Sequence, residues 1–142
     1  MDYTLQADPE HRVVLVTLGS VVTEESGLAA YRAVEQFIAA NGPHSGITDL
    51  SGVKKLRVST NFVWRLAERP PMIPDGMERV VVAPQPAIYG VSRMFQIIRD
   101  NRNRYLQVVH TLDEAFKILG LESPLFRMID PASERGMVAP PG

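Results

Sequence analysis

Apolar residues along this chain recur first with the period of strands and then, repeatedly, with the period of helices. Asp2–Ala7 alternates and His11–Leu18 is rich in Val and Leu, and the turn-forming run Asp8-Pro9-Glu10 separates these two segments. This pattern predicts two antiparallel strands joined by a tight type I turn.

Four helices are predicted from apolar spacing together with start and stop signals. Ser, Thr and acidic residues mark the starts because their side chains can accept the free amides of a first turn. Gly and Pro mark the stops. The first predicted helix follows Thr23 and ends at Asn41-Gly42-Pro43, and the second follows Ser59 and ends at Pro70-Pro71. The third runs from Ala87 to about Arg102, and the fourth begins at the capping box Thr111–Glu114 and ends at Leu119.

Three further strands are predicted between these helices, at Ile47–Leu50, Arg79–Ala83 and Tyr105–His110, whereas Ser51–Val58 is interpreted as a loop. The order is therefore β-β-α-β-α-β-α-β-α. Strands that alternate with helices form parallel pairs through right-handed crossovers. We therefore expect an α/β fold with a mixed sheet, mostly parallel, that begins with an antiparallel hairpin.

The 142 residues include 45% hydrophobic and 22% charged positions, as in ordinary globular domains. The absence of cysteine excludes disulfides, thiolate catalysis and Cys-ligated metals. The amino terminus is acidic with no apolar leader, and the apolar stretch Val13–Val22 is too short to cross a bilayer, so a cytoplasmic protein is expected. We predict a domain over residues 1–122 and an extension over 123–142, with a short helical turn at Leu125–Ile129 and a flexible end.

The net charge of −1 conceals a segregation of charge along the chain. Residues 1–50 hold 2 basic and 7 acidic residues, whereas residues 51–110 hold 10 basic and 4 acidic residues. Such a distribution either creates a field that attracts an anionic partner or cancels when the segments fold against each other. The position of the basic segment in space decides between these alternatives.

The run Asp49-Leu50-Ser51-Gly52-Val53, at the end of a predicted strand, resembles the STAS fold of anti-sigma-factor antagonists in the broader SpoIIAA-like group. The element order and the closing segment T-L-D-E-A-F-K-I-L also fit, so the resemblance covers roughly residues 1–120. Alignment from Asp49 without gaps places the family's phosphorylated serine on Ser59. The residues around Ser59 depart from the family's D-S-S-G motif, and an ordinary N-cap role is the competing interpretation.

The resemblance implies a non-catalytic, regulatory protein-interaction module, closest to the small stand-alone bacterial members. Their topology is similar to that of SEC14-type lipid carriers, which implies an alternative function as a binder of a small amphipathic ligand or a membrane surface. This alternative predicts a cavity under the helices that contain Phe62–Leu66 and Ile88–Ile98. A homodimer remains open, and no nucleic-acid partner is expected.

Candidate binding residues lie in loops that follow parallel strands, where open α/β sheets bind their ligands. The polar and charged side chains in these loops form either a site that accepts an anion or ordinary charges exposed to solvent. Trp64 lies at the edge of the inward-facing apolar arc of its predicted helix, where it either covers the core or contacts a partner. The candidate residues for binding a ligand or partner are Ser51, Lys54, Lys55, Arg57, Thr60, Trp64 and Gln85.

Catalytic and metal chemistry find little support in the residue spacing. Gly90-Val91-Ser92-Arg93-Met94 is close to a nucleophile elbow, and Asp100 and His110 follow in the order of α/β-hydrolases, but Ser92 lies within a predicted helix. The three histidines are far apart, and no glycine pattern matches a phosphate-binding or dinucleotide-binding loop. No catalytic residue, metal or cofactor is therefore predicted.

Overall fold

The computed structural model describes residues 2–70, 73, 76–99 and 106–129. Within these ranges the strands are β1 (Tyr3–Asp8), β2 (Val13–Leu18), β3 (Val21–Thr23), β4 (Ser45–Asp49), β5 (Lys55–Arg57), β6 (Arg79–Val82), β7 (Leu106–Val109) and β8 (Arg127–Met128). The helices in the same ranges are α1 (Glu24–Asn41), α2 (Thr60–Glu68), α3 (Pro86–Arg99) and α4 (Leu112–Ile118).

Six of the strands form one mixed sheet in the order β7-β6-β4-β2-β1-β8. The pairs β2–β4, β4–β6 and β6–β7 are parallel, whereas β1 is antiparallel to both β2 and β8. The predicted α/β class, with a mostly parallel sheet and an N-terminal hairpin, is confirmed.

The two faces of the sheet are covered by different helices. Val80 and Val82 of β6 belong to an apolar cluster that includes Ala115 of α4. Val81, on the opposite face of the same strand, packs in a cluster with Val63 of α2 and Phe95 of α3. Helix α1 covers the same side as α2 and α3, over β1 and β2.

The capping residues in the sequence correctly predicted several helix ends. Thr23 accepts the amide of Ser26, whose hydroxyl in turn accepts the amide of Thr23, so α1 begins with a reciprocal capping box. Gly42, which ends this helix, has a φ of +87°, a conformation that favours glycine. The predicted N-caps Ser59 and Thr111 also accept the expected amides, from Phe62 and Glu114.

Two sequence predictions about local structure are wrong. The predicted loop Ser51–Val58 contains β5, which pairs in parallel with β3 as a separate two-stranded ribbon. The predicted helical turn at Leu125–Ile129 is instead extended and contains β8, because the free edge of β1 offers backbone partners to this segment. Ile129 is buried and its amide donates to the carbonyl of Leu5, so the segment up to Ile129 belongs to the main sheet.

Three predicted features lie partly or wholly outside the described residues. The helix predicted to about Arg102 is described to Arg99, and the strand predicted from Tyr105 is described from Leu106. The proposed flexible end of the 123–142 extension falls on residues 130–142, which are outside the described part of the chain.

Asp8 connects the first hairpin to the segment that contains β8. Its carboxylate lies 2.7 Å from Nδ1 of His11 and accepts the backbone amides of His11 and Leu125 at 3.2 and 3.1 Å. Burial by itself raises the pKa of Asp8, but the hydrogen bonds from His11 and Leu125 outweigh it, so the pKa lies below its ordinary value.

We predict that Asp8→Ala lowers the free energy of unfolding by about 2–3 kcal/mol at neutral pH, because buried hydrogen bonds to a charged group are lost. The lowered pKa means that this stabilisation is present above the ordinary pKa of 3.8 and is lost as the pH falls through the folded-state value. Urea unfolding of the wild-type chain and the variant at pH 7 and pH 3 measures both effects. Glu10→Ala, an exposed change in the same turn, is the control, and equal losses for the two variants would contradict the prediction.

Candidate ligand-binding cavity

An apolar cavity of about 140 Å³ lies between the sheet and the three helices α1, α2 and α3. The helices contribute Phe62, Val63 and Leu66 from α2 and Val91 and Phe95 from α3. The cavity predicted under these two helices is therefore present. Apolar cavities of about 150 Å³ accommodate a molecule the size of benzene.

Small residues on α1 leave room for this cavity. Gly27 and Ala30 lie one turn apart on the helix and both line the space. A Cβ atom built on Gly27 would stand 3.7 Å from the ring of Phe62, which is an ordinary contact distance. Larger side chains at these positions would therefore project into the space that is now empty.

Arg79 is the charged residue in the lining of this mostly apolar cavity, which also includes the polar side chains Tyr31, Thr48 and Ser92. It begins β6 and shares a face of that strand with Val81, so the alternation of the strand directs it toward the helices. Its residue exposure is only 7% and its Nε atom has no hydrogen-bond partner. Burial lowers the pKa of Arg79 and the nearby charge of Arg99 lowers it further, while Tyr31 acts in the opposite direction.

Three guanidinium groups and two aromatic rings form an arginine–aromatic stack, in which Arg79 and Arg99 are buried and Arg69 is partly exposed. Arg69 and Arg79 lie 5.5 and 5.4 Å from the ring centroid of Tyr31. Arg79 and Arg99 lie 5.2 and 5.4 Å from the ring centroid of Phe95. Distances within about 6 Å of a ring are those of cation–π interactions, which strengthen when the cation is desolvated.

Only some of the guanidinium nitrogens in this stack have hydrogen-bond partners. Arg99, at 1% exposure, donates through Nη2 to the Tyr31 hydroxyl at 2.6 Å and to the carbonyl of Leu66 at 3.2 Å. Its Nε and Nη1 atoms have no hydrogen-bond partner. Within the described part of the chain, Glu35 is the carboxylate that pairs with the stack, 2.8 Å from Arg69. Counted over the described residues, the stack thus combines three guanidinium groups with the carboxylate of Glu35.

An open cleft at the carboxyl edge of the sheet adjoins the cavity. It is lined by Ser51, Lys54 and Gln85, which were predicted there from the sequence. Leu56, Val58 and Val91 line both the cleft and the cavity. The cavity and the cleft are therefore neighbours that share these three side chains.

Gln85 organises the loop that borders the cleft. Its Nε2 atom donates to the carbonyls of Leu50, Ser51 and Val53 at 3.0, 3.0 and 2.8 Å. The amide nitrogen is therefore engaged within the chain, whereas Oε1 is buried with no hydrogen-bond partner. Gln85 therefore holds the loop in place through its amide nitrogen, and its binding role stays a prediction.

The other candidate binding residues do not converge on the cleft. Lys55 and Arg57 are exposed on β5, and Thr60 is exposed at the first turn of α2. Trp64 is 48% exposed on α2, while its neighbours Phe62 and Val63 are buried. The basic segment of the sequence is thus divided, with Lys54 at the cleft, other charges at the surface, and Arg79 and Arg99 in the interior.

Ser59 lies at the junction of α1 and α2. Its hydroxyl accepts the amide of Phe62 at 3.0 Å, and its own amide donates to Oε2 of Glu24 at 2.8 Å. The hydrogen bond from the Ser59 amide is the main cause that holds the pKa of Glu24 below its ordinary value. Arg65 lies 3.8 Å from the same carboxylate.

The residues considered for hydrolase or metal chemistry are not arranged for it. Ser92 is buried inside α3, without the strand and sharp turn that a nucleophile elbow requires. His110 stacks on Tyr89, with ring centroids 4.4 Å apart, and Asp100 lies outside the described residues. In the described ranges no group of three or more His, Asp or Glu side chains could hold a metal ion.

No protein-family model and no curated protein sequence matches the chain. The resemblance to the STAS and SpoIIAA-like proteins therefore stays a prediction that depends on Asp49–Val53 and the order of the elements. Among the helices that the structure describes, none is long and apolar enough to cross a membrane.

The stack is the main polar feature of the cavity, and it was not predicted from the sequence. Tyr31, Arg69, Arg79, Phe95 and Arg99 come from three helices and a strand, counting the residue that ends α2, so no local motif connects them. The start of β6 did carry one signal. Arg79 directly precedes three valines in a strand predicted to be buried on both faces, so its charge was itself a candidate for burial.

Proposed function

We propose that the chain is a cytoplasmic, non-catalytic binding module that takes up a small amphipathic molecule in the cavity between the sheet and α1, α2 and α3. The observation that carries this proposal is the cavity itself, since well-packed interiors contain few spaces larger than a water molecule. The SEC14-like alternative among the expectations from sequence required such a space in this place.

The composition of the walls defines what would bind. Side chains such as Leu50, Val63 and Phe95 offer dispersion contacts and no hydrogen bonds, which suits an apolar body. Tyr31 and Arg79 add polar atoms at a few positions. A mostly apolar site with a small number of placed polar groups is typical of small-molecule sites. The volume limits the buried part of the ligand to roughly the size of a benzene ring.

We predict that benzyl alcohol, a neutral amphipathic probe, binds in the cavity of the wild-type chain. Methyl resonances of Val63 and Val81, which line the cavity, should shift on titration in carbon–proton NMR spectra, whereas that of Val80 on the opposite face should not. Ala30→Leu should weaken binding roughly tenfold or more, because the added side chain occupies the cavity.

Ala29→Leu is the matched control, since Ala29 is the exposed neighbour of Ala30 on the same helix. It should leave the affinity for benzyl alcohol unchanged. Shifts that are absent from Val63 and Val81 at saturating probe, or equal effects of the two leucine substitutions, would contradict the proposed function.

A regulatory protein-interaction module with Ser59 as its phosphorylation site is the second candidate function. The observation in its favour is that Ser59 is exposed and that its amide connects α2 to Glu24 of α1. A phosphate on Ser59 would compete with the Glu24 carboxylate for the amides at the start of α2. Phosphorylation would in this way separate two of the helices that cover the cavity and alter the surface offered to a partner.

We predict that Ser59→Asp, a mimic of the phosphorylated residue, lowers the melting temperature relative to Ser59→Asn. Asp and Asn both cap helices well, so their difference isolates the repulsion between the new charge and Glu24. Adding Glu24→Gln to each variant should remove most of this difference, as measured by thermal unfolding of the two single and two double variants at low salt. An Asp-to-Asn difference of the same size with and without the Glu24→Gln substitution would contradict the coupling between Ser59 and Glu24.

A further inference from the structure

The excess positive charge of the arginine–aromatic stack reaches the wall of the cavity. Arg79 belongs to the stack through Tyr31 and Phe95 and also lines the cavity, as do both of these rings. Arg99 bonds to the hydroxyl of Tyr31 from outside the lining. A molecule beside Arg79 in the cavity would therefore contact one buried cation directly, while the second, Arg99, is connected to the lining through Tyr31.

A buried guanidinium group is costly unless an anion or a full set of hydrogen bonds compensates it. Nε of Arg79 and both Nε and Nη1 of Arg99 have no hydrogen-bond partner in the described structure. Glu35 pairs with Arg69, which is a separate guanidinium group beside the Tyr31 ring. Tyr31 compensates the charge of Arg79 in part. Among the described residues no carboxylate forms a salt bridge with Arg79, so an anionic group delivered by a ligand would supply a countercharge there.

We infer that the ligand of the proposed cavity is a small carboxylic acid, with an aromatic or short aliphatic body, whose carboxylate pairs with Arg79. This inference depends on the proposed function, since it specifies the polar end of the molecule in the same cavity. A planar carboxylate matches the fork of a guanidinium group and carries a single charge. A phosphate ester is larger and, as a dianion, costs more to remove from water.

The position of Arg79 also orients the acid. Arg79 is at the amino end of β6, whereas the cleft with Lys54 lies at the carboxyl edge of the sheet. The carboxylate is therefore expected at the deep end of the cavity, with the apolar body toward Leu56 and Val58. Lys54 is exposed in the cleft that adjoins the cavity at Leu56 and Val58, where it would attract an acid that approaches the cavity.

The inference is tested by isothermal titration calorimetry of the full chain with benzoate and with benzyl alcohol, two probes that share the same ring. Wild-type protein should bind benzoate at least roughly tenfold more tightly than benzyl alcohol, as expected for a hydrogen-bonded charge pair. Arg79→Met, of similar size and uncharged, should abolish this preference, so that the variant binds benzoate no more tightly than benzyl alcohol.

Arg93→Met, which removes an exposed arginine from α3, is the matched control and should keep the preference for benzoate. Arg79→Lys retains the cation without the fork and should give an intermediate preference, which preserves the test if Arg79→Met does not fold. Binding of benzyl alcohol without any preference for benzoate overturns this inference and leaves the proposed function intact. Failure of both probes to bind overturns both.

Discussion

The structure depends on how positive charge is held inside an apolar interior. Arg79 and Arg99 are almost fully buried, and the rings of Tyr31 and Phe95 stand beside the guanidinium groups of the stack. The electron-rich faces of these rings attract the cations, and the hydroxyl oxygen of Tyr31 accepts a hydrogen bond from Arg99. Because the five members of the stack come from α1, the end of α2, β6 and α3, these interactions fix the three helices over one face of the sheet.

The cavity follows from the same arrangement. Tyr31, Arg79 and Phe95 of the stack line the cavity, and the small residues Gly27 and Ala30 of α1 provide too little volume to fill it. The opposite face of the sheet, packed by α4 against Val80 and Val82, carries no such buried arginine in the described part of the chain. The buried arginines and the cavity thus lie on the same face of the sheet. This arrangement supports the proposal of a ligand with an anionic group and an apolar body.

The elements whose signals are local were predictable from the sequence. Thr23, Ser59 and Thr111 cap the helices as expected, and the valines of β6 form a buried strand. Segments whose structure depends on distant partners were not. The Leu125–Ile129 segment carries the helical cue of a proline after a serine, yet the unpaired edge of β1 determines its extended form. The arginine–aromatic stack was not predictable either, since an arginine in a sequence is by default interpreted as a solvated surface charge.

The most direct test of a buried acid site is a crystal structure of the protein soaked with 4-bromobenzoate, whose bromine is located by anomalous scattering. Bromine density is expected between the sheet and α1, α2 and α3, with the carboxylate within hydrogen-bonding distance, about 3 Å, of the Arg79 guanidinium. Bromine density only in the cleft near Lys54, or an interior that stays empty at saturating ligand, would contradict the claim that the buried arginines define a site for an acid.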